Sequence, residues 1–152
     1  MKKAFFFVFL LLCVLINTMQ SYCQIISTFA GNGSSSYSGD GSSALLAGIS
    51  LPVGGAFDKS GNYYFVGGVS SNRIRMIDHS GIIHTVAGTS TSGFAGDGGL
   101  STSAQLNHPY GIAIDTNDNL YIADYGNFRV RKVDAITHII STIAGNGTAG
   151  TT

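Results

Sequence analysis

The most constraining feature of this chain is a short segment that occurs three times. Residues 25–31, 82–88 and 139–145 all read Ile-Ile-x-Thr-x-Ala-Gly, and each copy lies 57 residues after the previous one. The same spacing relates further pairs, among them Gly39 to Gly96, Asp40 to Asp97, Pro52 to Pro109 and Asp58 to Asp115. The offset becomes 56 for a short stretch that relates Asp78 to Asp134, and one inserted residue restores it. A fixed period of this kind predicts a repeat architecture.

Within the second unit the apolar segments are short and bounded by turn residues, which is typical of strands. We predict four strands, at residues 111–115, 120–124, 129–134 and 138–144. Four short antiparallel strands in each repeat are characteristic of a β-propeller blade. The sequence therefore predicts an all-β fold, a β-propeller fragment with about two four-stranded antiparallel blades. The first copy of the repeated segment, residues 25–30, is predicted to form an extra, unpartnered N-terminal strand.

Two irregularities accompany this pattern. Residues 130–133 do not alternate cleanly between apolar and polar side chains, which predicts a β-bulge near the third strand. Propeller repeats usually have about 40 to 50 residues, and the excess here lies in two Gly/Ser-rich segments, residues 31–46 and 88–103. Such a composition buries little apolar surface. We therefore expect these segments to be rim loops that packing does not order.

The N-terminus has the pattern of a secretory signal peptide. Lys2 and Lys3 precede an apolar run from residue 4 to residue 16. These 13 residues would span only about 20 Å as a helix, which is too short for a bilayer core of about 30 Å. We predict a signal peptide at residues 1–23 and a mature chain of residues 24–152 that is secreted, reaching the periplasm or cell surface in a bacterium.

Removal of this segment determines the composition of the mature chain. Cys13 and Cys23 both leave with it, so the mature chain has no disulfide and depends on its core and sheets. Lys2 and Lys3 also leave, so six basic residues remain against eight aspartates, a net charge of −2. This weak field gives no electrostatic reason to expect nucleic acid or an anionic membrane as a partner.

No catalytic or metal-binding pattern stands out. The Gly-Asp-Gly motif occurs twice and supplies one carboxylate to each loop, from Asp40 and Asp97. Calcium requires six to eight oxygen ligands, far more than one carboxylate provides. The motif therefore predicts a tight turn instead. The four histidines occupy unrelated repeat positions and lack zinc-site spacing: His79, His84, His108 and His138. The sequence predicts no catalytic residue, no metal site and no cofactor, and it leaves the ligand-binding residues unassigned.

Arginine pairs recur at the predicted third strand of each unit. Arg73 and Arg75 match Arg129 and Arg131. Repetition at equivalent positions indicates a structural role, in which the guanidinium group binds backbone carbonyls or the nearby repeated aspartate.

The second unit resembles the NHL repeat. The resemblance rests on Asn107-His108-Pro109-Tyr110-Gly111-Ile112-Ala113-Ile114-Asp115, on residues 119–124 and on residues 127–134. The Gly-Asp-Gly loop is similar to that of the long-repeat extracellular variant found in teneurins. The resemblance implies a ring of about six blades, of which two are present here. The first unit departs from the pattern, since Gly55 and Gly67 stand in place of Ile112 and Asp124.

Two functions remain open at this stage. The first is a secreted, non-enzymatic binding module whose loops recognise an extracellular protein or glycan, with the rest of its own propeller as a further partner. The alternative is the N-terminal part of a propeller enzyme of the metal-dependent lyase or lactone hydrolase type, in which ligands from several blades would meet.

Overall fold

The computed structural model describes residues 25–150, so the predicted signal peptide at residues 1–23 lies outside the described residues. Eight strands follow one another along the chain: β1 (Val53–Phe57), β2 (Tyr63–Val66), β3 (Ile74–Ile77), β4 (Ile83–Ala87), β5 (Pro109–Ile114), β6 (Leu120–Asp124), β7 (Arg129–Val133) and β8 (Ile140–Ala144). Four 3₁₀ turns connect them: Ala44–Leu46, Val69–Ser71, Ser101–Ser103 and Tyr125–Asn127. Within this part of the chain, no helix is long and apolar enough to cross a membrane.

The strands form two antiparallel sheets, β1-β2-β3-β4 and β5-β6-β7-β8, in chain order. We call the first sheet blade 1 and the second blade 2, and the prediction of two four-stranded β-propeller blades is confirmed. The predicted strand at residues 138–144 begins later, at Ile140, because His138 adopts φ 57° within the preceding turn. The predicted strand at residues 111–115 begins earlier, at Pro109, and ends at Ile114.

The predicted strand at residues 25–30 is wrong, since this segment has no strand structure. A strand is defined by its ladder of backbone hydrogen bonds, and no described strand pairs with this segment. Ile25 and Ile26 are almost fully exposed, at 87% and 97%.

The hairpin turns are stabilised by the repeated aspartates. Asp115 Oδ1 accepts hydrogen bonds from the backbone N–H groups of Asn117 and Asn119, at 2.8 and 2.9 Å. Its second oxygen accepts from the Asn119 amide at 2.9 Å and from the Tyr121 hydroxyl at 3.0 Å. Asp58 makes the equivalent bonds in blade 1. These bonds are the Asx-turn interactions expected of Asp in a turn.

The predicted bulge is present, but its extra residue lies in the partner strand. Val130 pairs with Ala144 and Arg131 pairs with Thr142, which leaves Ile143 of β8 without a partner on β7. Blade 1 has the same irregularity between β3 and β4, where Val86 is the extra residue. The repeat therefore reproduces the bulge as well as the strands.

The main core lies between the two blades. Blade 1 contributes Val66, Ile74 and Ala87, all fully buried, and blade 2 faces them with Leu120, Ile122, Val133 and Ile140. Ala104 and Leu106, from the segment that joins the blades, complete this cluster. A smaller cluster covers the other face of blade 1 and includes Ala44, Ala47, Phe65, Ile77 and Ile83. Both clusters are apolar, so burial of apolar surface stabilises the contact between the blades.

Candidate functional site

The Gly/Ser-rich segments fold onto the outer edges of the blades. We call residues 31–49 clasp loop 1 and residues 88–106 clasp loop 2. In clasp loop 1, Gly41 N–H donates to Ile83 O at 2.8 Å, and Ser42 O accepts from Ile83 N–H at 3.0 Å. In clasp loop 2, Gly98 donates to Ile140 O at 2.8 Å. Each clasp loop thereby covers the edge strand of its blade, β4 or β8, which would otherwise expose unpaired backbone groups.

A buried arginine fastens clasp loop 2 to blade 2. Arg131 is fully buried, and its Nε and Nη2 donate to Asp97 Oδ1 at 2.9 and 2.6 Å. Its Nη groups also donate to the backbone oxygens of Gln105, at 3.2 Å, and Ala95, at 3.3 Å. The side chain thus ties three points of the loop to the middle of the sheet.

Asp124 adds a second, buried carboxylate to this site. Asp124 has no exposed surface, and its Oδ2 accepts from Arg131 Nη1 at 3.4 Å and from Asn127 Nδ2 at 2.7 Å. Its Oδ1 accepts from Asn107 N–H at 2.7 Å. A buried carboxylate is tolerated only when it is paired and hydrogen-bonded, so Asp124 depends on these contacts.

Clasp loop 1 is fastened in the same way but with fewer bonds. Arg75, 1% exposed, donates to Asp40 Oδ1 at 2.7 Å and to the backbone oxygens of Gly48 and Ser38 at 3.1 and 3.0 Å. Blade 1 has Gly67 in place of Asp124, and the Arg75 Nε is buried without a partner. The predicted structural role of the repeated arginines is confirmed, and Asp124 has no counterpart in blade 1.

Each arginine pair also stacks on an aromatic ring of its clasp loop. The Arg73 and Arg75 guanidinium groups lie 3.9 and 4.7 Å from the centre of the Tyr37 ring. Arg129 and Arg131 take the same positions over Phe94, at 3.8 and 4.9 Å. Cation–π contacts at such distances are favourable. The expectation that packing leaves these loops unordered is therefore wrong, because the rings and the Arg–Asp pairs supply the missing contacts.

The carboxylates of the clasps are held ionised. Burial raises the pKa of Asp40, but hydrogen bonds from Tyr37, Thr85 and Arg75 outweigh it and hold the pKa below its usual value. Burial likewise raises the pKa of Asp97, but hydrogen bonds from Thr142 and Arg131 outweigh this effect and hold the pKa below its usual value. Each second oxygen accepts an edge-strand N–H, from Thr85 at 3.2 Å and from Thr142 at 3.1 Å. The aspartate of each Gly-Asp-Gly motif thus connects the buried arginine to the edge strand of the sheet. This role goes beyond the tight turn that the sequence predicts.

The outer surfaces of the clasp loops carry small polar side chains. Residues 32–36 read Asn-Gly-Ser-Ser-Ser and are all exposed, and residues 90–92 read Ser-Thr-Ser and are also exposed. Small hydroxyl and amide groups of this kind provide adaptable hydrogen bonding at binding surfaces. Because the bases of the loops are fastened by buried arginines, these exposed groups are presented on a fixed support.

The hairpin turns do not assemble a reactive site. Among residues 25–150, no three His, Cys, Asp or Glu side chains come together as a potential metal site. His84 Nε2 lies 3.2 Å from Asp78 Oδ2 within the β3–β4 hairpin, whose turn also carries His79. His108 and His138 lie in other loops, before β5 and β8. Asp115 is strongly acidic because hydrogen bonds, first from Asn119, lower its pKa to about 2.

Each blade has one apolar face that no described residue covers fully. On blade 1, a groove of about 880 Å³ lies between residues 28–33 and the sheet, and its lining includes Phe29, Ile49, Tyr63 and Phe65. On blade 2, a shallower groove of about 330 Å³ is lined by Tyr110, Ala123, Tyr125, Phe128, Val130 and Ala144, among others. Tyr110, Tyr125 and Phe128 are 62%, 68% and 48% exposed.

Comparison with known proteins gives consistent matches. The sequence matches the family described as the teneurin NHL domain over residues 29–93 and 91–151. It is 36% identical to chicken (Gallus gallus) NHL repeat-containing protein 2 over 94 residues, which cover 61% of this chain and 12% of that protein. It is 39% identical to human (Homo sapiens) teneurin-4 over 72 residues, which cover 41% of this chain and 3% of that protein.

A solved structure of a Bacteroides thetaiotaomicron protein of unknown function is also similar. It superimposes with a TM-score of 0.55 at 23% identity, covering 75% of this chain and 26% of that one. The chain therefore spans only a small part of each of these three proteins.

Proposed function

Because this chain belongs to the teneurin NHL domain family, we propose that it is a secreted, non-enzymatic binding module whose clasp loops recognise an extracellular protein. The observation that carries the proposal is the pair of clasp loops, each with exposed small polar residues on a base fastened by a buried arginine. Function in repeat folds of this kind belongs to the loops that the scaffold positions.

Fixed loops favour binding for an energetic reason. A loop that becomes ordered only on binding loses conformational entropy at that moment, and this loss weakens its affinity. The Arg131–Asp97 and Arg75–Asp40 pairs order the clasp loops in advance. Residues 32–36 and 90–92 can therefore contact a partner at little further entropic cost.

A protein partner fits the clasp loops better than a glycan. Sugar rings commonly pack on exposed aromatic faces, whereas the aromatic rings of the clasp loops, Tyr37 and Phe94, each have a face occupied by guanidinium groups. The remaining exposed groups are hydroxyls, amides and backbone, which suit a polar protein surface. The apolar run at residues 4–16 supports export as the route to an extracellular partner.

The test is binding of the purified chain to an array of extracellular protein domains, with a glycan array measured in parallel. A Ser35→Arg/Thr91→Arg variant places two bulky charges on exposed loop tips. We expect this variant to lose binding at least tenfold. The matched control is Thr116→Arg, an equally exposed change in the β5–β6 hairpin, which should bind as the unmodified chain does.

Three results would contradict the proposal. They are the absence of any bound domain, binding to glycans alone, and binding that the loop variant retains. Turnover of an ester or lactone substrate by the purified chain would favour the enzyme alternative instead.

A further inference from the structure

A groove runs between blade 1 and blade 2 at the end of the sheets where the hairpin turns lie. We call it the inter-blade groove. Its volume is about 440 Å³, within the range of about 300–1,000 Å³ that is typical of small-molecule pockets. Both of its walls are described, and the two blades already pack on each other through the main core. No further blade can therefore pack between these walls.

The walls of the inter-blade groove are largely apolar. Leu120 and Val133 of blade 2 belong to the main core. Tyr64 and Val86 of blade 1 pack against the same core but keep part of their surface exposed. Met76, which pairs with Tyr64 across β2 and β3, is also partly exposed. The groove therefore offers an apolar ligand contacts that the protein itself does not use.

Two carboxylates, one from each blade, lie at one end of the groove, which we call the acidic end. Asp58 comes from the β1–β2 hairpin and Asp118 from the β5–β6 hairpin. Asp118 Oδ1 accepts a hydrogen bond from the Lys59 backbone N–H at 3.2 Å, and the Tyr64 hydroxyl donates to Asp58 Oδ2 at 3.4 Å. Burial raises the pKa of Tyr64 to about 12, and the charges of Asp58 and Asp118 add to this rise. The hydroxyl therefore stays neutral within the field of both carboxylates.

Basic side chains do not offset the charge of the acidic end. Among the described residues that line the groove there is no Lys or Arg. Asp134 lines the opposite end, where hydrogen bonds from Thr137 and then the charge of nearby Lys132 lower its pKa. A cation thus already lies close to Asp134, and the uncompensated negative charge is concentrated at the acidic end.

The turn that carries Asp118 does not itself require an acidic residue. The equivalent residue of blade 1 is Gly61, and both positions have a left-handed backbone, with φ 62° at Asp118 and 82° at Gly61. Glycine adopts this conformation without the steric cost that a Cβ brings. Blade 2 therefore has a carboxylate where the backbone favours glycine. Among the described residues, only the Oδ1 of this carboxylate takes part in a hydrogen bond.

From these observations we propose that the inter-blade groove binds a small primary aliphatic amine. The ammonium group donates to the carboxylates of Asp58 and Asp118 and to the Tyr64 hydroxyl, and the alkyl chain lies along Met76 and Val86. A primary ammonium group has three N–H donors, and its hydrogen bonds to carboxylates are stronger than bonds between neutral groups. Burial of the alkyl chain against the apolar walls adds to the affinity.

This site is separate from the clasp loops. No residue of clasp loop 1 or clasp loop 2 is among the described residues that line the groove. The inference therefore goes beyond the proposed function and does not depend on it.

The test measures binding of hexylamine, which is protonated at neutral pH, to the purified chain. Met76 is the only methionine among residues 24–152, so its methyl NMR signal is readily assigned and reports on the groove. We expect hexylamine to shift this signal until the site is saturated. Hexanol lacks the charge and methylamine lacks the alkyl chain, so each should bind at least about tenfold more weakly.

Two variants remove the charge of the acidic end. Asp118→Asn keeps an oxygen that can accept from Lys59 N–H, and asparagine tolerates a left-handed backbone. Asp118→Gly reproduces the residue of blade 1. Each variant should bind hexylamine about tenfold more weakly. The matched control Ser80→Lys changes the net charge by the same amount at an exposed turn position outside the groove, and its affinity should not change.

Three results would overturn the proposal. They are hexanol binding as tightly as hexylamine, a Met76 signal that does not shift to saturation, and parental affinity in both Asp118 variants. Circular dichroism spectra check that the variants keep their sheets. None of these changes alters the clasp loops, so failure here is distinguishable from failure of the proposed binding function.

Discussion

The two clasp arginines should contribute unequally to stability, and Arg131→Ala tests this directly. Removing Arg131 leaves Asp124, which has no exposed surface, with only Asn107 and Asn127 as partners. Breaking a buried ion pair in this way typically costs about 3–5 kcal/mol, because the remaining charge is left uncompensated. Arg75→Ala leaves only Asp40, whose side chain is 36% exposed and can be solvated. Loss of Arg75 should therefore cost about 1.5–3 kcal/mol, the scale of hydrogen bonds to a charged group.

Urea unfolding followed by far-ultraviolet circular dichroism gives the two free energies of unfolding. We expect Arg131→Ala to be more destabilising than Arg75→Ala by about 2 kcal/mol. In the Arg131→Ala variant, the further change Asp124→Asn removes the buried, unpaired charge. The double variant should therefore recover part of the lost free energy of unfolding. Equal losses for the two arginines, or no recovery with Asp124→Asn, would show that the buried carboxylate is not the reason for the difference.

Three further predictions follow from the same contacts. Asp40 and Asp97 have folded pKa values below their unfolded value of 3.8. Their contribution to the free energy of unfolding should therefore be present above about pH 4 and decrease as the pH falls below about 4. Urea unfolding midpoints measured at a series of acidic pH values test this prediction. Asn32-Gly33-Ser34 and Asn146-Gly147-Thr148 are both acceptor sequences for N-glycosylation in a eukaryotic host. Mass spectrometry should find Asn146 glycosylated more fully than Asn32, because the Asn32 amide nitrogen donates to Leu46 O at 2.9 Å. Gly88→Ala should destabilise the chain by more than the ~1–2 kcal/mol of a left-handed residue alone, since its Cβ would meet Asn72 O, and thermal melting checks this.

Local patterns were sufficient to predict most of the strands. The Asx turn at Asp115 and the apolar segments that flank it depend on neighbours in sequence, and the structure places them as expected. The order in the clasp loops was not predictable from composition, because it depends on Arg75 reaching Asp40 across 35 positions. The sequence nevertheless contains a pattern that indicates this order. Gly-Asp-Gly and the Arg pair recur together in both units, and each unit has one aromatic residue three positions before the aspartate.

The error at residues 25–30 has a different physical origin. The segment has the same sequence pattern as β4 and β8, but a strand also requires a neighbour for its backbone hydrogen bonds. Sequence similarity identified the segment as a third copy of the repeated pattern. It could not reveal that no described strand is present to pair with it.

The position of the clasp loops bears on how a chain of this kind grows. Clasp loop 1 and blade 1 are contiguous, from residue 31 to residue 87, and together make one 57-residue unit. Each unit therefore carries the loop that closes the outer edge of its own sheet. A tandem duplication of the gene segment would add a blade together with its edge protection, so lengthening would not create a new aggregation-prone edge. The extra residues that make this repeat longer than the usual blade are thus compatible with gain or loss of whole units.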